Sequence, residues 1–252
     1  MYRKMTWCIC VCVILLTCAG TGALALGIGP YIDAFGGKSY IKVRGISWED
    51  TGGAATNYGF RAGLLLDTCV ACDDTFSYRL KLGGGLSKSD LVAKTSYNSF
   101  HMSHTFALAA VSNDLVKFWI GPQVGFNYFR GNSDRIYTGA ERPGGIYLLT
   151  NPRSLAADSW TFDAFKERTA TDLYTATGGL AFGLNLNFGP YVSLSIEAGI
   201  LYGYTIGRQK REVYAASFPV VPYNAFREKS FGHGFEGYGS VAFMIRFVDT
   251  FQ

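Results

Sequence analysis

After residue 25 the chain contains no run of about twenty apolar residues, the length a membrane-crossing helix needs. Charge is scarce as well: 17% of residues are charged, against about a quarter in a typical soluble domain. Of six cysteines, Cys8, Cys10, Cys12 and Cys18 fall in the first 25 residues, leaving Cys69 and Cys72. Four of the six therefore supply no disulfide framework or metal site in the mature chain. Histidine is limited to His101, His104 and His233. In a strand, His101 and His104 fall on opposite faces, His233 is remote, and no carboxylate completes a ligand set with them. There is no nucleophile elbow and no phosphate-cradling glycine loop. No enzymatic activity, cofactor or metal is expected.

The N-terminus explains where the cysteines went. MYRKMTWCICVCVILLTCAGTGALA has a basic start at Arg3 and Lys4, an apolar stretch from Cys8 to Ala19, and a small-x-small signal at Ala23-Leu24-Ala25. This is the layout of a cleavable export signal, so residues 1–25 are expected to be removed, leaving 26–252 as one domain. The apolar stretch is short for a retained anchor, and Thr17 before Cys18 is a poor match to a lipidation site. Removal of Arg3 and Lys4 from the 23 basic residues leaves 21 against 19 acidic ones. That balance excludes a polycationic nucleic-acid binder.

What the chain does have is glycine (31 residues), aromatics (15%) and long period-two alternation. From Thr171 to Gly207 two alternating runs flank a tight turn. Tyr174, Ala176, Leu180, Phe182, Leu184, Leu186 and Phe188 share one phase of the first run. Val192, Leu194, Ile196, Ala198, Ile200, Tyr202, Tyr204 and Ile206 share one phase of the second. The other phase is Thr, Ser, Asn, Gly and Glu197. Period two is the strand signature. Each run lasts about fifteen residues, where soluble strands average five or six. A tilted membrane strand needs roughly 9–11 residues inside the bilayer. A long hairpin of a soluble barrel would alternate in the same way, so the hairpin alone leaves both readings open.

The same pattern recurs over Leu26–Phe35, Asn57–Asp67, Phe76–Leu86, Ser99–Ser112, Leu115–Arg130 and from Phe235 onward, which makes eight strands. Connections near Cys69–Asp74, Ser112–Asp114 and Phe188–Pro190 are tight. Those near Gly36–Ala55, Ser87–Tyr97, Gly131–Ala170 and Arg208–Gly234 are longer, with a short helix expected near Asp163–Arg168. Short turns at one end and long loops at the other are the arrangement of outer-membrane barrels, which have even strand numbers from eight upward. The expected fold is all-β: an eight-stranded antiparallel transmembrane barrel, closed because open edges cannot stand in hydrocarbon. Tyr58, Tyr128, Tyr174, Tyr202 and Tyr204 would ring the loop side, and Phe76, Phe118 and Phe188 the turn side, as interfacial girdles.

Phase then assigns the interior. Asp33, Arg61, Asp67, Arg79, Lys81, Lys117, Glu197, Glu236 and Arg246 should face the lumen as a nearly balanced ionic network, since buried charges need partners. An eight-stranded barrel is filled mainly by side chains, so a wide pore is not expected. Pro30 and Pro122 fall on the outward phase. Each removes a backbone donor and calls for a bulge or a broken ladder, which makes them candidates for a wall opening. Cys69-Val70-Ala71-Cys72 sits in a turn and is compatible with a small disulfide, with free thiols, or with a redox or metal role. Arg208, Lys210, Arg211, Tyr214, Arg227 and Lys229, with neighbouring aromatics, are candidates for surface recognition of a host molecule, glycan or lipid, or for capping the barrel.

With these features the chain resembles the small eight-stranded bacterial outer-membrane proteins, especially the OmpW-like and OmpA/OmpX-like groups. The resemblance spans nearly all of Leu26–Gln252 and rests on the leader, the eight strands and the aromatic final run GYGSVAFMIRF, Gly237–Phe247. It implies an outer-membrane location with both termini periplasmic. It also implies recognition by the barrel-assembly machinery through a terminal aromatic, Phe247 or Phe251 here, although the chain ends in Gln252. The OmpW-like group implies passage of small hydrophobic solutes with lateral exit. The OmpA/OmpX-like group implies a non-transporting adhesin or envelope-structural role.

Overall fold

The computed structural model describes residues 26–44, 51–68, 75–89, 95–138, 164–215 and 224–247. The alternation becomes eight strands: β1 (Leu26–Arg44), β2 (Thr51–Asp67), β3 (Phe76–Ser89), β4 (Thr95–Ser112), β5 (Val116–Thr138), β6 (Ala164–Phe188), β7 (Val192–Ala215) and β8 (Asn224–Phe247). Each pairs antiparallel with its neighbours in sequence, and β8 closes on β1. A pairing line from Tyr31 runs through Gly63, Gly83, His101, Asn127, Thr175, Thr205 and Gly232, and returns to β1 at Ile41. That stagger of ten residues tilts the strands and fixes which side chains meet across the lumen.

The phases fall as hydrocarbon outside and polar inside require. Phe60 is 67% exposed, Ile32 65% and Leu180 58%, whereas Leu65, Trp119 and Met244 are fully buried. Tyr78 lies on the outward phase yet is buried there, covered by His104 and Phe106 with ring centroids at 5.9 and 5.6 Å. Tyr58, Tyr128, Tyr174, Tyr202 and Tyr204 are on the outer face, and Tyr40 and His233 join them. Tyr128 packs on Tyr174 at 5.0 Å, Tyr202 on Phe235 at 5.0 Å, and Tyr40 on His233 at 6.1 Å. On the turn side, Phe76, Phe188, Tyr191 and Phe247 are exposed. From Tyr174 to Phe188, at ~3.3 Å per residue and a tilt of roughly 40°, the outer face spans ~35 Å. That is enough for the hydrocarbon of a bilayer.

The turns are short where expected. Asn113 Oδ1 accepts from the N–H groups of Leu115 and Val116 at 3.0 and 2.7 Å. Gly189 takes φ +69°, the left-handed conformation that lets β6 reverse into β7. Residues 1–25 and the Cys69–Cys72 pair lie outside the described residues.

The strand ends differ from the sequence expectation. Every strand runs further toward the loop side, so that much of Gly36–Ala55, Ser87–Tyr97, Gly131–Ala170 and Arg208–Gly234 is strand rather than loop. The helix near Asp163–Arg168 is not formed: Ala164–Arg168 belongs to β6 and pairs with β5 and β7. The tyrosines therefore ring the barrel partway along its strands instead of at their ends. Above that level polar side chains occupy both phases, with Arg208 and Lys210 exposed outside and Gln209 and Ser230 buried inside, so the hydropathy alternation vanishes while the hydrogen-bond ladder continues.

The extension is uneven. Among the described residues, β2–β3 pairing ends at Asn57–Ser89 and β4–β5 pairing at Tyr97–Gly131, while β5–β6 continues to Thr138–Ala164 and β6–β7 to Phe165–Ala215. Thr51–Thr56 pairs only with β1, and Asn132–Thr138 only with β6. Among the described residues the wall is low at β3–β4 and tall from β5 to β8.

Candidate functional site: a capped lumen with a loop-side cup

The nine lumen candidates are all on the inner face. The stagger brings seven of them into two ion-paired groups. In the upper group Arg61 is the hub. Its Nε donates to Asp33 Oδ1 at 2.9 Å and Nη2 to Glu236 Oε1 at 2.7 Å, while Nη1 lies 3.2 Å from His101 Nδ1 and 3.3 Å from Asn127 Oδ1. In the lower group Glu197 is the hub. Lys81 Nζ is 2.8 Å from Oε1, Arg79 Nη2 is 3.4 Å from Oε2, and the Tyr238 hydroxyl donates to Oε1 at 2.5 Å. Arg79 also faces Asp67 at 3.4 Å and donates to Asn185 and Ser195 at 3.2 and 2.7 Å. Lys117 and Arg246 are buried near the turn-side end.

Each of the three central cations also lies against an aromatic face. Arg61 is over Phe35 at 4.2 Å, Arg79 over Trp119 at 4.2 Å, and Lys81 between Tyr238 and Tyr31 at 4.9 and 5.4 Å. Glycine on the inner phase makes room for these rings: a Cβ on Gly183 would run into the Trp119 indole. Desolvated cation–π contacts strengthen pairs already held by carboxylates. The result is a plug, with apolar clusters around Trp119, Tyr238 and Leu201, and around Tyr31, Leu65 and Met244.

Above the plug the lumen widens into a cavity of about 80 Å³. Phe35, Ile41, Tyr97, Phe129 and Leu173 give it an apolar wall, Thr175, Thr177 and Thr205 supply hydroxyls, and Glu236 lies at its base. Thr175 and Thr205 are hydrogen-bonded across β6–β7 at 2.8 Å. Ser87, Ser89 and Tyr97 bring the low β3–β4 wall into the lining, so the cup borders the notch in the rim. Of the cup residues, sequence reasoning singled out only Glu236, as a lumen candidate. The available signal was weak: Phe35, Ile41, Tyr97, Phe129 and Leu173 are apolar residues on the inward phase, but so are Tyr31, Leu65 and Trp119 of the plug.

Among solved structures the chain is similar to the outer membrane protein OprG from Pseudomonas aeruginosa, at 12% identity over 90% of this chain and 98% of that one, with a TM-score of 0.47. It is similar also to Neisserial surface protein A, at 13% identity over 86% and 98% with a TM-score of 0.28. A third is the outer membrane protease OmpT from Escherichia coli, at 7% identity over 91% and 100% with a TM-score of 0.32. No family model matches the sequence, and no curated protein matches it. Among the described residues the fold is a closed, eight-stranded antiparallel barrel.

Pro30 and Pro122 are both on the outer face. The β1–β8 ladder is interrupted at Gly29-Pro30 and the β4–β5 ladder at Gly121-Pro122. Register is unchanged across either break, so neither is a bulge. The one register shift of the β4–β5 pair lies elsewhere, between Ala109 and Val111. Both prolines keep their other neighbour, Leu64 and Leu180 respectively. Counted around the ring, the two seams are opposite one another. Behind Pro30 the lumen is filled by Tyr31, Leu65, Ala242 and Met244.

The surface candidates are strand residues rather than loop residues. Arg208, Lys210, Arg211 and Tyr214 are in β7, and Arg227 and Lys229 in β8. Arg208, Lys210, Arg227 and Lys229 are exposed on the outer face. The side chains of Arg211 and Tyr214 lie outside the described residues.

Proposed function

We propose that this is a bacterial outer-membrane barrel that takes a small, mainly apolar solute with a polar end into its loop-side cup and does not form an open pore. The carrying observation is the lumen itself: an aromatic and hydroxyl-lined cavity stands over a buried plug of Arg61, Arg79 and Lys81 with their carboxylates. Such a site binds apolar surface and orients one polar group. Entry over the β3–β4 notch would bring solute from the membrane boundary. Passage beyond the cup would require the plug to part. The Gly29-Pro30 and Gly121-Pro122 seams, where the wall has least backbone cohesion, are our candidates for lateral release. In this reading the leader is cleaved, both termini are periplasmic, and the assembly machinery recognises β8.

The test is uptake of a small hydrophobic fluorophore into liposomes carrying the protein, with Thr205→Trp filling the cup. Uptake should fall about tenfold, the loss of a site whose hydrophobic contacts are worth about 1.4 kcal/mol or more. Equal uptake by the two proteins would reject the cup as the route. A disulfide across the seam, Phe106→Cys with Pro122→Cys, should leave binding intact and stop release.

The tall β5–β8 wall favours a second reading, a non-transporting surface adhesin or envelope-structural protein. Retained binding of a surface ligand with no solute flux would support it.

A further inference from the structure

The outward pairs climbing the β7–β8 ladder change character abruptly. Leu194–Phe243 and Ile196–Val241 are apolar, Tyr202–Phe235 and Tyr204–His233 are aromatic, and Ile206–Phe231 is the last apolar pair. Next come Arg208–Lys229 and then Lys210–Arg227. All four of these cationic side chains are exposed. One outward step is two residues, ~7 Å along a strand, so the cations begin where the apolar wall stops. Lys42 on β1, opposite Phe231, extends the strip, and it too is exposed.

Like charges directly opposite on a sheet face destabilise it, and here two such pairs are stacked. Of the described outward carboxylates beside them, Glu212 pairs with Lys210 at 2.5 Å and offsets one of the four charges, while Asp172, opposite Arg208, accepts from the Tyr128 hydroxyl at 2.7 Å and faces Arg130 at 3.9 Å. The strip therefore retains excess positive charge at one fixed height on the outer wall.

Resting on the membrane reading above, we propose that Arg208, Lys210, Arg227 and Lys229 form a side-on binding site for the anionic phosphate headgroups of membrane lipid. The paired cations on two strands suit phosphate oxygens, which accept several charge-assisted hydrogen bonds at once. The height selects the source: an anion held one step above the girdle belongs to a lipid whose chains lie along Ile206, Tyr204 and Phe231. The site relieves the cross-strand repulsion and seats the barrel at a defined depth.

The chain refolded in dodecyl maltoside is titrated with phosphatidylglycerol, phosphatidylcholine or inorganic phosphate, and bound lipid is counted by native mass spectrometry. Phosphatidylglycerol should bind about tenfold more tightly than phosphatidylcholine, as expected when several surface cations each contribute. The variant Arg208→Gln/Lys210→Gln/Arg227→Gln/Lys229→Gln should lose that preference, whereas Lys88→Gln, on the opposite side of the barrel, should keep it. Folding of each variant is checked by its heat-sensitive gel mobility. An unchanged preference in the fourfold variant overturns the proposal. So does equal competition by inorganic phosphate, which would make this a free-anion site. Insertion into preformed vesicles is scored separately by protease protection: failure to insert overturns both the membrane reading and this site, while insertion without lipid preference overturns this site alone.

Discussion

Glu197 shows how much of the interior rests on single groups. Buried on β7, it faces Lys81, Arg79 and the Tyr238 hydroxyl. Removing one partner of a buried ion pair strands the other charge, a loss of about 3–5 kcal/mol, while replacing a whole pair by apolar groups can be neutral. Glu197→Ala should therefore lower the unfolding free energy of the barrel by an amount in that range, read as a lower urea midpoint for the folded band on cold gels. The double variant Lys81→Met/Glu197→Met should recover much of it. Equal losses in the single and double variants would show that the pairing is not what holds the plug. At this scale the sequence was partly legible. Strand phase alone put Asp33, Arg61, Arg79, Lys81 and Glu197 inside. It could not pair Arg61 with Glu236, because that contact depends on closing β8 against β1 and on the ten-residue stagger, neither of which is a local property.

At the scale of the element, the ladders are unequal. β6 and β7 pair from Phe165–Ala215 down to Phe188–Val192, whereas β2 and β3 pair only from Asn57–Ser89 to Asp67–Arg79. Opening free energies follow the number of cooperatively linked contacts. Amide exchange in micelles should thus be slowest at the centre of the β6–β7 hairpin and fastest along β2–β3, with extra exchange beside Pro30 and Pro122. Uniform protection around the ring would contradict this. The two runs of the β6–β7 hairpin were legible because an exposed apolar face on one side and a polar lumen face on the other give strict alternation. The extensions Arg208–Ala215 and Asn224–Gly234 were not, since from Arg208 and Lys229 onward the outward phase turns polar like the inward one and the hydropathy contrast is lost. The same loss of contrast made Ala164–Arg168 read as a helix.

At the scale of the molecule, closure and the plug together predict a barrel that does not conduct. In planar bilayers the protein should show no steady open level, and removing both hubs with Arg61→Ala and Glu197→Ala should produce ion current if the variant folds. A stable conductance in the unaltered protein would mean that the plug parts readily. The likeness of overall architecture was legible from strand number and turn lengths, while the cup was not. It is assembled from residues as distant as Phe35, Tyr97, Phe129 and Leu173, which only closure of the barrel brings together.

The uneven rim has one more consequence. A barrel with level walls looks the same from every direction within the plane of the membrane. Here β5–β8 stand high, with β7–β8 carrying the cations, and β3–β4 stand low beside the cup. The molecule therefore has a front and a back. If it spans a membrane as proposed, its neighbours there would meet it with a preferred bearing, and the notch faces away from the side that gathers charge.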